Sequence, residues 1–529
     1  TVDELKETEH IFEKNAPACK LFSKSKTYII YTKNDGFELI TEVENKIKIY
    51  NTEGFKYANF SVSFYNYGLD KEIVNFSDVA TYNLVNNKVE KTKLKSDGEF
   101  IEKTNKFYSE KKITMPNVKV GSIIEYKYIK KSPFLSKIDE WYFQDFIPIN
   151  HSTYQFTYPE YFTYNPFLKG ELIVKNTKRI EERTLTFTNK ERVEKNYVVQ
   201  TSFSESKLTY NENIVNYEIN NVMPIKDESY VRNIANYVSS VSHELVSIQY
   251  PNEPFKLLST SWDEVAKTIN STDTFGGELN KKGYFEEEIN KIVNGVTSNE
   301  QKIISIFNYV KQNFKWNGYY GIYADEGLRS VFKNKTGNVA DINLLLTVFL
   351  RHVGLNAHPV LISSVSNGVP LFPSSAAFNY VVAGVELNGN TVLLDATDIY
   401  SVPNLLPLRA MNWSGRMIYQ NGGSKEIDLQ PKVLSKDNIV MNYNVLSNGK
   451  LEGNIKRQLT NYNAYNYRNS FGQMSKESII ETKEKNFDNI EISNYINENV
   501  NNLDLAILES FDFVDDKNIE IIGDKIYLS

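Results

Sequence analysis

The chain has 529 residues, and its 60 basic and 66 acidic residues give a net charge of −6. A hydrophobic fraction of 41% and a charged fraction of 24% are typical of globular protein with several packed cores. This balance argues against a nucleic-acid partner, which needs a basic surface, and no apolar run reaches the roughly 18 residues of a membrane-spanning helix.

Metal and cofactor sites are not expected either. The single cysteine, Cys19, excludes a disulfide framework and any cysteine-rich metal centre. Of the five histidines, the closest pair, His352 and His358, falls on two different predicted elements. That separation argues against a histidine-based metal site.

Residues 1–226 are predicted to form a β-rich domain. Apolar and polar residues alternate with period two in segments such as Lys46–Tyr50, Asn59–Phe64 and Ile123–Tyr128, as expected of strands with one buried face. Polar turn signals such as Asn86-Asn87 separate these segments. Many short alternating strands with polar turns are typical of an antiparallel β-sandwich.

Helical patterns appear after residue 226, and we place a mixed α+β core at 227–425. Ser298 and Gln301 have the spacing of a capping box, in which two side chains satisfy backbone N–H groups at a helix start. Ile303 and Phe307 then recur at helical spacing, which indicates a face that packs into a core.

The segment KTGNVADINLLL, residues 335–346, predicts a central helix over 339–353. Asn338 is a suitable N-cap, and Asp341 lies where a carboxylate favours the helix dipole. Apolar residues around nearly the whole helix indicate that it is buried. A polar loop that leads into such a helix is a usual way to present a reactive side chain, yet Val339 stands at that point.

Three strands are predicted after this helix, at 357–363, 378–387 and 391–396. The last two flank Asn388-Gly389, a strong hairpin signal because both residues tolerate positive φ. The core is therefore predicted as a central helix followed by antiparallel strands.

Residues 426–529 are predicted to form a C-terminal β-rich domain. A hairpin is expected at Asn448-Gly449, and helical pieces are expected near 461–469 and 476–486. The chain stops within an apparent strand, so we expect this domain to be truncated.

Three short motifs of the predicted core resemble the transglutaminase-like superfamily, which shares the papain-like fold. Its Gly-x-Cys-x-Asp motif, which opens the central helix, is similar to Gly337–Asp341. Its Asn-His-Val-like motif is similar to Phe378–Val381, and its Leu-Asp-Pro/Ala-Thr motif to Leu394–Asp398.

This resemblance implies that Val339 holds the position of the nucleophilic cysteine, Tyr380 that of the histidine base and Asp395 that of the orienting acid. Cysteine catalysis needs a thiolate, formed by a nearby imidazole and a helix N-terminus. Valine has no lone pair, and a tyrosine of pKa near 10 is a poor base at neutral pH. We therefore expect the inherited chemistry to be absent, and we lean towards a protein that is not an enzyme.

The flanking segments extend the resemblance over most of the chain. Met115–Gly121 and Trp141–Pro148 resemble a β-rich domain of unknown function that precedes a transglutaminase-like core in envelope proteins of Bacteroidetes-type bacteria. Asn412–Arg416 resembles the segment that follows the core there. This implies a periplasmic or cell-envelope location.

The leading hypothesis is a catalytically degenerate transglutaminase-like protein that binds or scaffolds. Its partners would be a peptide, a glycan or another envelope protein. Tyr380 and two tryptophans would wall the cleft, and the exposed helix start at 338–340 would accept an anionic group. The residues expected to contact a ligand are Trp316, Asn338, Asp341, Asn379 and Trp413.

Two alternatives remain. The first is an active protease, amidase or acyltransferase with a non-standard nucleophile, for which the nearby candidates are Ser363, Ser364, Ser374 and Ser375. The second is a structural protein whose old cleft is filled by the side chains of Val339 and Tyr380.

Asp341 and Asp395 could form a carboxylate pair for acid–base work. The favoured interpretation of these two residues is that Asp341 caps the helix. Asp395 would then accept hydrogen bonds from Tyr380 or from backbone N–H groups.

Overall fold

The computed structural model describes residues 1–32, 36–195, 198–258, 261–446, 449–487, 490–516, 519–523 and 525–528. The chain divides into two compact units, Thr1–Ser261 and Trp262–Ser529. The division falls after the predicted boundary at 226/227, because a strand at Ser240–Ile248 pairs with Phe162–Lys169. Residues 426–529, predicted as a separate domain, belong to the same compact unit as the core.

The first unit is almost entirely β. Its one α-helix, within the part that the structure describes, is α1 (Val2–Lys6). Its strands, in chain order, are β1 (Ala18–Thr32), β2 (Gly36–Ile49), β3 (Asn59–Tyr65), β4 (Ile73–Val85), β5 (Lys88–Lys93), β6 (Glu99–Lys103), β7 (Tyr108–Thr114), β8 (Ile123–Ser132), β9 (Trp141–Tyr142), β10 (Ile149–Pro159), β11 (Phe162–Lys169), β12 (Lys175–Lys195), β13 (Val198–Val222), β14 (Ser240–Ile248) and β15 (Lys256–Leu257).

A long sheet with two smaller sheets packed against it organises this unit. The eight-stranded sheet has the order β12-β13-β10-β1-β2-β8-β4-β5, the second sheet is built from β11, β14, β15 and β9, and the third has the order β3-β7-β6. The predicted sandwich-like arrangement is thus present. It is not purely antiparallel, however, because β1 and β10 run parallel.

Aromatic side chains fill the layer between the long sheet and the second sheet. Tyr154 and Phe156 of β10 pack there with Phe162 and Tyr164 of β11. A second core lies between the long sheet and the third sheet, where Ile124 of β8 packs with residues such as Ile113 of β7. Much of the tyrosine and phenylalanine in the sequence therefore forms cores.

The second unit mixes helices and strands, as predicted. Its helices are α2 (Trp262–Asn270), α3 (Glu286–Ile292), α4 (Asn299–Asn313), α5 (Leu328–Asn334), α6 (Val339–His352), α7 (Asn461–Phe471) and α8 (Lys476–Asn486). Its strands are β16 (Lys315–Trp316), β17 (Thr336–Gly337), β18 (Asn356–Ile362), β19 (Tyr380–Leu387), β20 (Asn390–Leu394), β21 (Ser414–Ile418), β22 (Ser424–Asp428), β23 (Asp437–Val445), β24 (Leu451–Leu459), β25 (Glu491–Glu498), β26 (Ile507–Asp515), β27 (Ile519–Ile522) and β28 (Lys525–Leu528).

Helix α6 is the centre of the core, and every residue from Val339 to Leu350 is buried. It packs against a five-stranded sheet of order β20-β19-β18-β21-β22. The predicted hairpin joins β19 to β20, with positive φ at Asn388 and Gly389. The sequence prediction of a buried helix followed by antiparallel strands is confirmed to within a few residues at each end.

The C-terminal region forms a four-stranded sheet of order β23-β24-β26-β25, with α8 against it. The predicted helical pieces correspond to α7 and α8. At the predicted hairpin, Asn448 lies outside the described residues, while β23 and β24 on either side pair antiparallel. No helix in the described part of the chain combines the length and apolar character needed to cross a membrane.

Candidate functional site

A capping box holds the start of α6. The Asn338 side chain accepts a hydrogen bond from the Asp341 N–H (2.8 Å), and Asp341 Oδ2 accepts one from the Asn338 N–H (3.0 Å). Gly337 is needed beside them, since an added Cβ would lie 2.6 Å from the Asp341 Cβ. The predicted capping role of Asp341 is confirmed.

The Asp341 carboxylate is buried, and it also accepts a hydrogen bond from the Asp325 N–H (3.2 Å). Burial raises its pKa from 3.8 to about 6, against the opposing effect of the backbone N–H groups that it accepts. The Asp341 carboxylate therefore acts as a hydrogen-bond acceptor for the surrounding backbone N–H groups.

The start of α6 is covered, which corrects the expectation of an exposed anion-binding helix end. Asn338, Val339 and Ala340 are all buried. The Val339 N–H donates to the Tyr319 carbonyl oxygen (3.2 Å), and Asn338 Nδ2 donates to the Tyr323 carbonyl oxygen (3.0 Å). The loop after β16 thus lies over the point where the motif would present its nucleophile.

Tyr380 and Asp395 meet directly. The Tyr380 hydroxyl donates to Asp395 Oδ2 (2.6 Å), as predicted, and it lies 2.9 Å from the Thr397 hydroxyl oxygen. Both Tyr380 and Asp395 are fully buried. Burial and the neighbouring carboxylate raise the pKa of Tyr380 well above its ordinary value, so the phenol stays protonated and acts as a hydrogen-bond donor.

Asn343 connects this pair to α6. Its Nδ2 donates to Asp395 Oδ1 (3.0 Å) and to the Val381 carbonyl oxygen (2.9 Å), and its Oδ1 accepts the Ala396 N–H (2.9 Å). Val339 lies four residues earlier, hence on the same face of the helix and one turn towards its start. Tyr380 and Asp395 therefore meet beside Asn343, one helical turn from Val339, and the convergence of position 339 with the other two stays a prediction.

Arg409 completes the network from a short helical turn in the connection between β20 and β21. Its Nε donates to the Tyr380 hydroxyl (3.1 Å), and its Nη2 donates to the Thr397 hydroxyl (2.9 Å). Its Nη1 donates to Asp398 Oδ2 (3.3 Å). The guanidinium also stacks on Trp316, 4.5 Å from the ring centroid. This cation therefore approaches Asp395 through hydroxyl groups and forms its ion pair with Asp398.

The network continues into the C-terminal region. The Tyr465 hydroxyl of α7 donates to Asp398 Oδ2 (2.7 Å), and the Tyr462 hydroxyl donates to the Leu406 carbonyl oxygen (2.9 Å). Both tyrosines are part of the same hydrophobic core as α6. Helix α7 thus supports the loop that carries Arg409.

The five predicted ligand contacts fall into two groups. Trp316 belongs with Asn338 and Asp341 beside the start of α6, and its ring lies 5.6 Å from that of Tyr320, which is itself 5.6 Å from Tyr380. Asn379 and Trp413 instead lie beside the loop after β18. The Asn379 amide exchanges hydrogen bonds with Ser364, and Asn412, which precedes Trp413, donates to the Ser364 carbonyl oxygen. Trp413 is 66% exposed.

Three of the four candidate serines have described side chains, and the hydrogen bonds of these three are to groups other than histidine. Ser363 donates to the Gly368 carbonyl oxygen, and Ser364 bonds to Ser366 and Asn379. Ser374 caps the next turn, accepting the Ala376 N–H, whereas the side chain of Ser375 lies outside the described residues.

The cysteine and the two histidines considered above have other surroundings and contacts. Cys19 belongs to the first unit, where burial raises its pKa to about 12. His352 contacts Asn290, and His358 contacts Asn356. Within the described ranges, no group of three or more histidine, cysteine, aspartate or glutamate residues is arranged to hold a metal ion.

Two family models match the chain. Residues 38–194 match the model described as "Domain of Unknown Function with solved-structure structure (DUF3857)", and residues 288–377 match that of the "Transglutaminase-like superfamily". The chain therefore carries a DUF3857 domain followed by a transglutaminase-like core. The second match includes Val339 but ends before Tyr380 and Asp395, whose assignment rests on the motifs and on the geometry above.

One solved structure is similar to this chain in its fold. A protein from Parabacteroides distasonis, titled "a putative protease", is similar with a TM-score of 0.52 and 9% identity, over 95% of this chain and 94% of that one. A "putative cysteine protease" from Cytophaga hutchinsonii covers 47% of this chain and 75% of its own, at 14% identity and a TM-score of 0.19. No curated protein matches the chain. At such identities the similarity to the first structure extends to the fold and no further.

Sequence reasoning missed two members of the network. Asn343 carried a signal, because it is a polar residue in an otherwise apolar helix at four-residue spacing from Val339. Arg409 carried none. It lies between the Leu394–Asp398 motif and the Asn412–Arg416 segment, and only the folded chain brings it to Tyr380.

Proposed function

We propose that this protein is a catalytically degenerate transglutaminase-like protein that binds or scaffolds in the bacterial cell envelope. The proposal depends on which residues occupy the three motif positions. Val339 stands where a nucleophile would be, and the Tyr380 hydroxyl donates a hydrogen bond to Asp395. The network is one of satisfied hydrogen bonds, with no reactive group in it.

The size of the expected loss in catalytic rate supports the proposal of a degenerate protein. In another hydrolase, removing the nucleophile or the base lowers kcat by roughly 10⁶, which is about 8 kcal/mol of activation free energy. Here both positions are changed, and the phenol at 380 is held protonated by burial and by its carboxylate. No serine near the core among the described side chains bonds to an imidazole that could compensate.

The binding surface would be the aromatic loop above the motif positions, since Val339 and Tyr380 are themselves fully buried. Tyr319 and Tyr320 are 42% and 41% exposed, and Trp316 lies beside them with its indole N–H donating to the Tyr319 carbonyl oxygen. Exposed rings held by backbone hydrogen bonds bind extended peptides or sugars with little loss of conformational entropy. The partner would be a peptide, a glycan or an envelope protein.

The envelope location is inferred from the domain order, in which a DUF3857 domain precedes a transglutaminase-like core. It also rests on the sequence resemblance to Bacteroidetes-type envelope proteins. The fold shared with a Parabacteroides protein is consistent with that origin.

A restored thiol tests the assignment of the motif positions. The Val339→Cys, Tyr380→His double variant should contain a cysteine whose pKa lies well below the value of about 8.5 for a free thiol, because imidazole and the helix start both favour the thiolate. The matched control is Val339→Cys alone, whose buried thiol should have a pKa above 8.5. Equal thiol pKa values in the two variants would show that the three positions do not form a site.

Activity probes and ligand arrays test the function itself. Serine- and cysteine-directed acylating probes should leave the second unit of the wild-type chain unlabelled, and labelling that one point substitution abolishes would establish an enzyme instead. On peptide and glycan arrays, ligands should lose affinity in Tyr319→Ser, Tyr320→Ser but not in a Leu371→Ser control, which changes another exposed apolar residue. Binding that survives the tyrosine changes would contradict the proposed surface.

A further inference from the structure

Strand β23 (Asp437–Val445) forms one edge of the C-terminal sheet. It pairs with β24 on one side, and no strand among the described residues pairs with its other side. All nine of its residues are exposed. A long edge strand with unpaired backbone N–H and C=O groups is a template for the pairing of a further strand.

One face of β23 is apolar and uncovered. The side chains of Ile439, Met441 and Tyr443 are 55%, 49% and 48% exposed. Met441 lies directly opposite Ile455 of β24, which is buried in a core with Ile479 of α8. The apolar face that the helix covers on β24 therefore continues onto β23, where no described residue buries it.

The opposite edge of the same sheet is protected against pairing. Strand β25 begins at Glu491 and ends at Glu498, and a bulge between Ser493 and Ile496 interrupts its register. Charged residues and bulges are devices that keep an edge strand from pairing with another chain. In β23 the one charged residue is Asp437, there is no proline, and the register with β24 has no shift. Of the two edges, β23 is the one suited to accept a strand.

The outward-directed backbone groups of β23 belong to its odd-numbered residues. The Leu446 N–H donates to the Lys450 carbonyl oxygen (2.8 Å), and the Thr460 N–H donates to the Lys436 carbonyl oxygen (3.0 Å). Because hydrogen-bonded residues alternate along an antiparallel pair, the even-numbered residues direct their groups to β24. The outward-directed groups are those of residues 437, 439, 441, 443 and 445.

A second copy of the strand matches this pattern about a two-fold axis at Met441, the central outward-directed residue. Antiparallel pairing in that register places Ile439 of each copy opposite Tyr443 of the other, and the two Met441 residues face each other. An aromatic ring opposite a β-branched residue is a favourable cross-strand pair, and like charges do not meet because Asp437 falls opposite Val445. All five outward-directed residues would be paired, with about ten backbone hydrogen bonds.

We propose that β23 pairs with β23 of a second copy of this chain, so that two C-terminal sheets join into one across a two-fold axis. The strand suits its own copy because apolar residues of its uncovered face then meet apolar residues. Residues 438–446 carry no charge, so a charged strand of another protein would find no complementary group along them. The proposal concerns the C-terminal sheet and is independent of the function proposed for the transglutaminase-like core.

Size-exclusion chromatography with light scattering of the full chain tests the proposal. With increasing concentration the wild type should reach twice the mass of one chain. Met441→Lys should raise the dissociation constant of the dimer by about 100-fold or more, because it places two ammonium groups opposite each other at the axis. The matched control is Ile496→Lys, which makes a similar change on the opposite edge, at a residue that is 54% exposed. It should leave the dissociation constant unchanged.

A charge swap tests the two-fold axis itself. Met441→Lys and Met441→Glu should each be monomeric alone, with the circular dichroism of the wild type, whereas their equimolar mixture should form a dimer because lysine then faces glutamate. A wild type that is monomeric at every concentration would overturn the proposal and leave β23 to a strand of a different protein. A dimer that persists in Met441→Lys, an equal loss in Ile496→Lys, or a mixture of the two folded variants that stays monomeric would also contradict it. The concentration series needs no variant, so the test stands even where a substitution impairs folding.

Discussion

Two buried carboxylates in the second unit invite comparison. Asp395 lies in the Leu394–Asp398 segment and accepts hydrogen bonds from Tyr380, Asn343 and Thr397. Glu509, on β26 of the C-terminal sheet, accepts from the hydroxyls of Tyr495 (2.7 Å) and Tyr467 (3.2 Å). Both carboxylates are thus buried and accept hydrogen bonds from tyrosine hydroxyls. Glu509 belongs to none of the three motifs.

The two networks differ in how the charge is balanced. Lys483 contacts Glu509 directly, with Nζ 2.8 Å from Oε1, and Arg457 lies 3.8 Å from Oε2. Arg409 instead reaches Asp395 only through the hydroxyls of Tyr380 and Thr397. In the motif region the Tyr380 phenol thus lies between the carboxylate and the cation. Asp395 is therefore linked to its nearest cation only through hydroxyl groups, whereas Glu509 has a cation in direct contact.

The largest predicted effect is on the direct ion pair. Lys483→Met should lower the free energy of unfolding of the second unit by about 3 kcal/mol or more, because it leaves Glu509 buried with a much weaker counter-charge. Denaturant unfolding followed by tryptophan fluorescence would measure it, since Trp262, Trp316 and Trp413 all lie in this unit. A Lys485→Met control on the same helix should change little, and equal losses would show that the ion pair contributes nothing particular.

A third buried carboxylate, Asp341, forms no hydrogen bond or ion pair with a cation or a tyrosine hydroxyl among the described residues. Its contribution to the free energy of unfolding should depend on pH. Below about pH 3 the Asp341 carboxyl is largely protonated in folded and unfolded chains alike. As the pH rises, the unfolded carboxyl ionises first, at its ordinary pKa of 3.8, while the folded group holds its proton until about pH 6. Stability contributed by this group is therefore lost as the pH rises towards 6.

Asp341→Asn should remove that loss. Relative to wild type, the variant should gain up to about 3 kcal/mol between pH 4 and pH 7, from a pKa difference of roughly two units. Urea unfolding at several pH values would measure this difference. A difference between the two proteins that stays constant with pH would mean that Asp341 is ionised normally in the folded chain.

The next prediction compares the two tyrosines. Tyr380→Phe should lower the free energy of unfolding by about 2 kcal/mol, because Asp395 then loses a buried donor and one of its two hydroxyl links to Arg409. Tyr495→Phe should cost about 1 kcal/mol, because Lys483 continues to balance the charge of Glu509. Parallel unfolding experiments would rank them, and the reverse order would contradict the distinction drawn between the networks.

The smallest effect concerns the stacking of Arg409 on Trp316. A double-mutant cycle of Trp316→Leu and Arg409→Gln should give a coupling of about 0.5–1 kcal/mol, as expected of a partly exposed cation–π contact. The control cycle pairs Trp316→Leu with Arg416→Gln, since Arg416 stacks on Trp262 instead. The absence of coupling in the first cycle would remove Arg409 as the link between the aromatic loop and the motif positions.

Local patterns predicted the elements well. The apolar helix after Asn338, the hairpin at Asn388-Gly389 and the two C-terminal helices all follow from periodicity, capping and turn chemistry within a few residues. These signals are encoded by neighbours in the chain, which is why reading them requires no tertiary information.

The pairing of strands that are far apart in the chain was harder to predict from the sequence. The parallel contact between β1 and β10 joins segments more than a hundred residues apart, and neither carries a mark of its partner. The pairing of β14 with β11 extended the first unit beyond residue 226 for the same reason. At the site, the motifs indicated Tyr380 and Asp395, whereas Arg409 and the covering of the helix start by Tyr319 depend on loop conformations that no local pattern specifies.

The hydrogen bond from Tyr465 to Asp398 has a consequence for truncated forms of the protein. An expressed fragment that stops near residue 425 would lack α7, and so would leave Asp398 and Arg409 without the helix that shields them. We expect such a fragment to aggregate or to be degraded. Limited proteolysis of the intact chain should release residues 262–529 as one resistant piece.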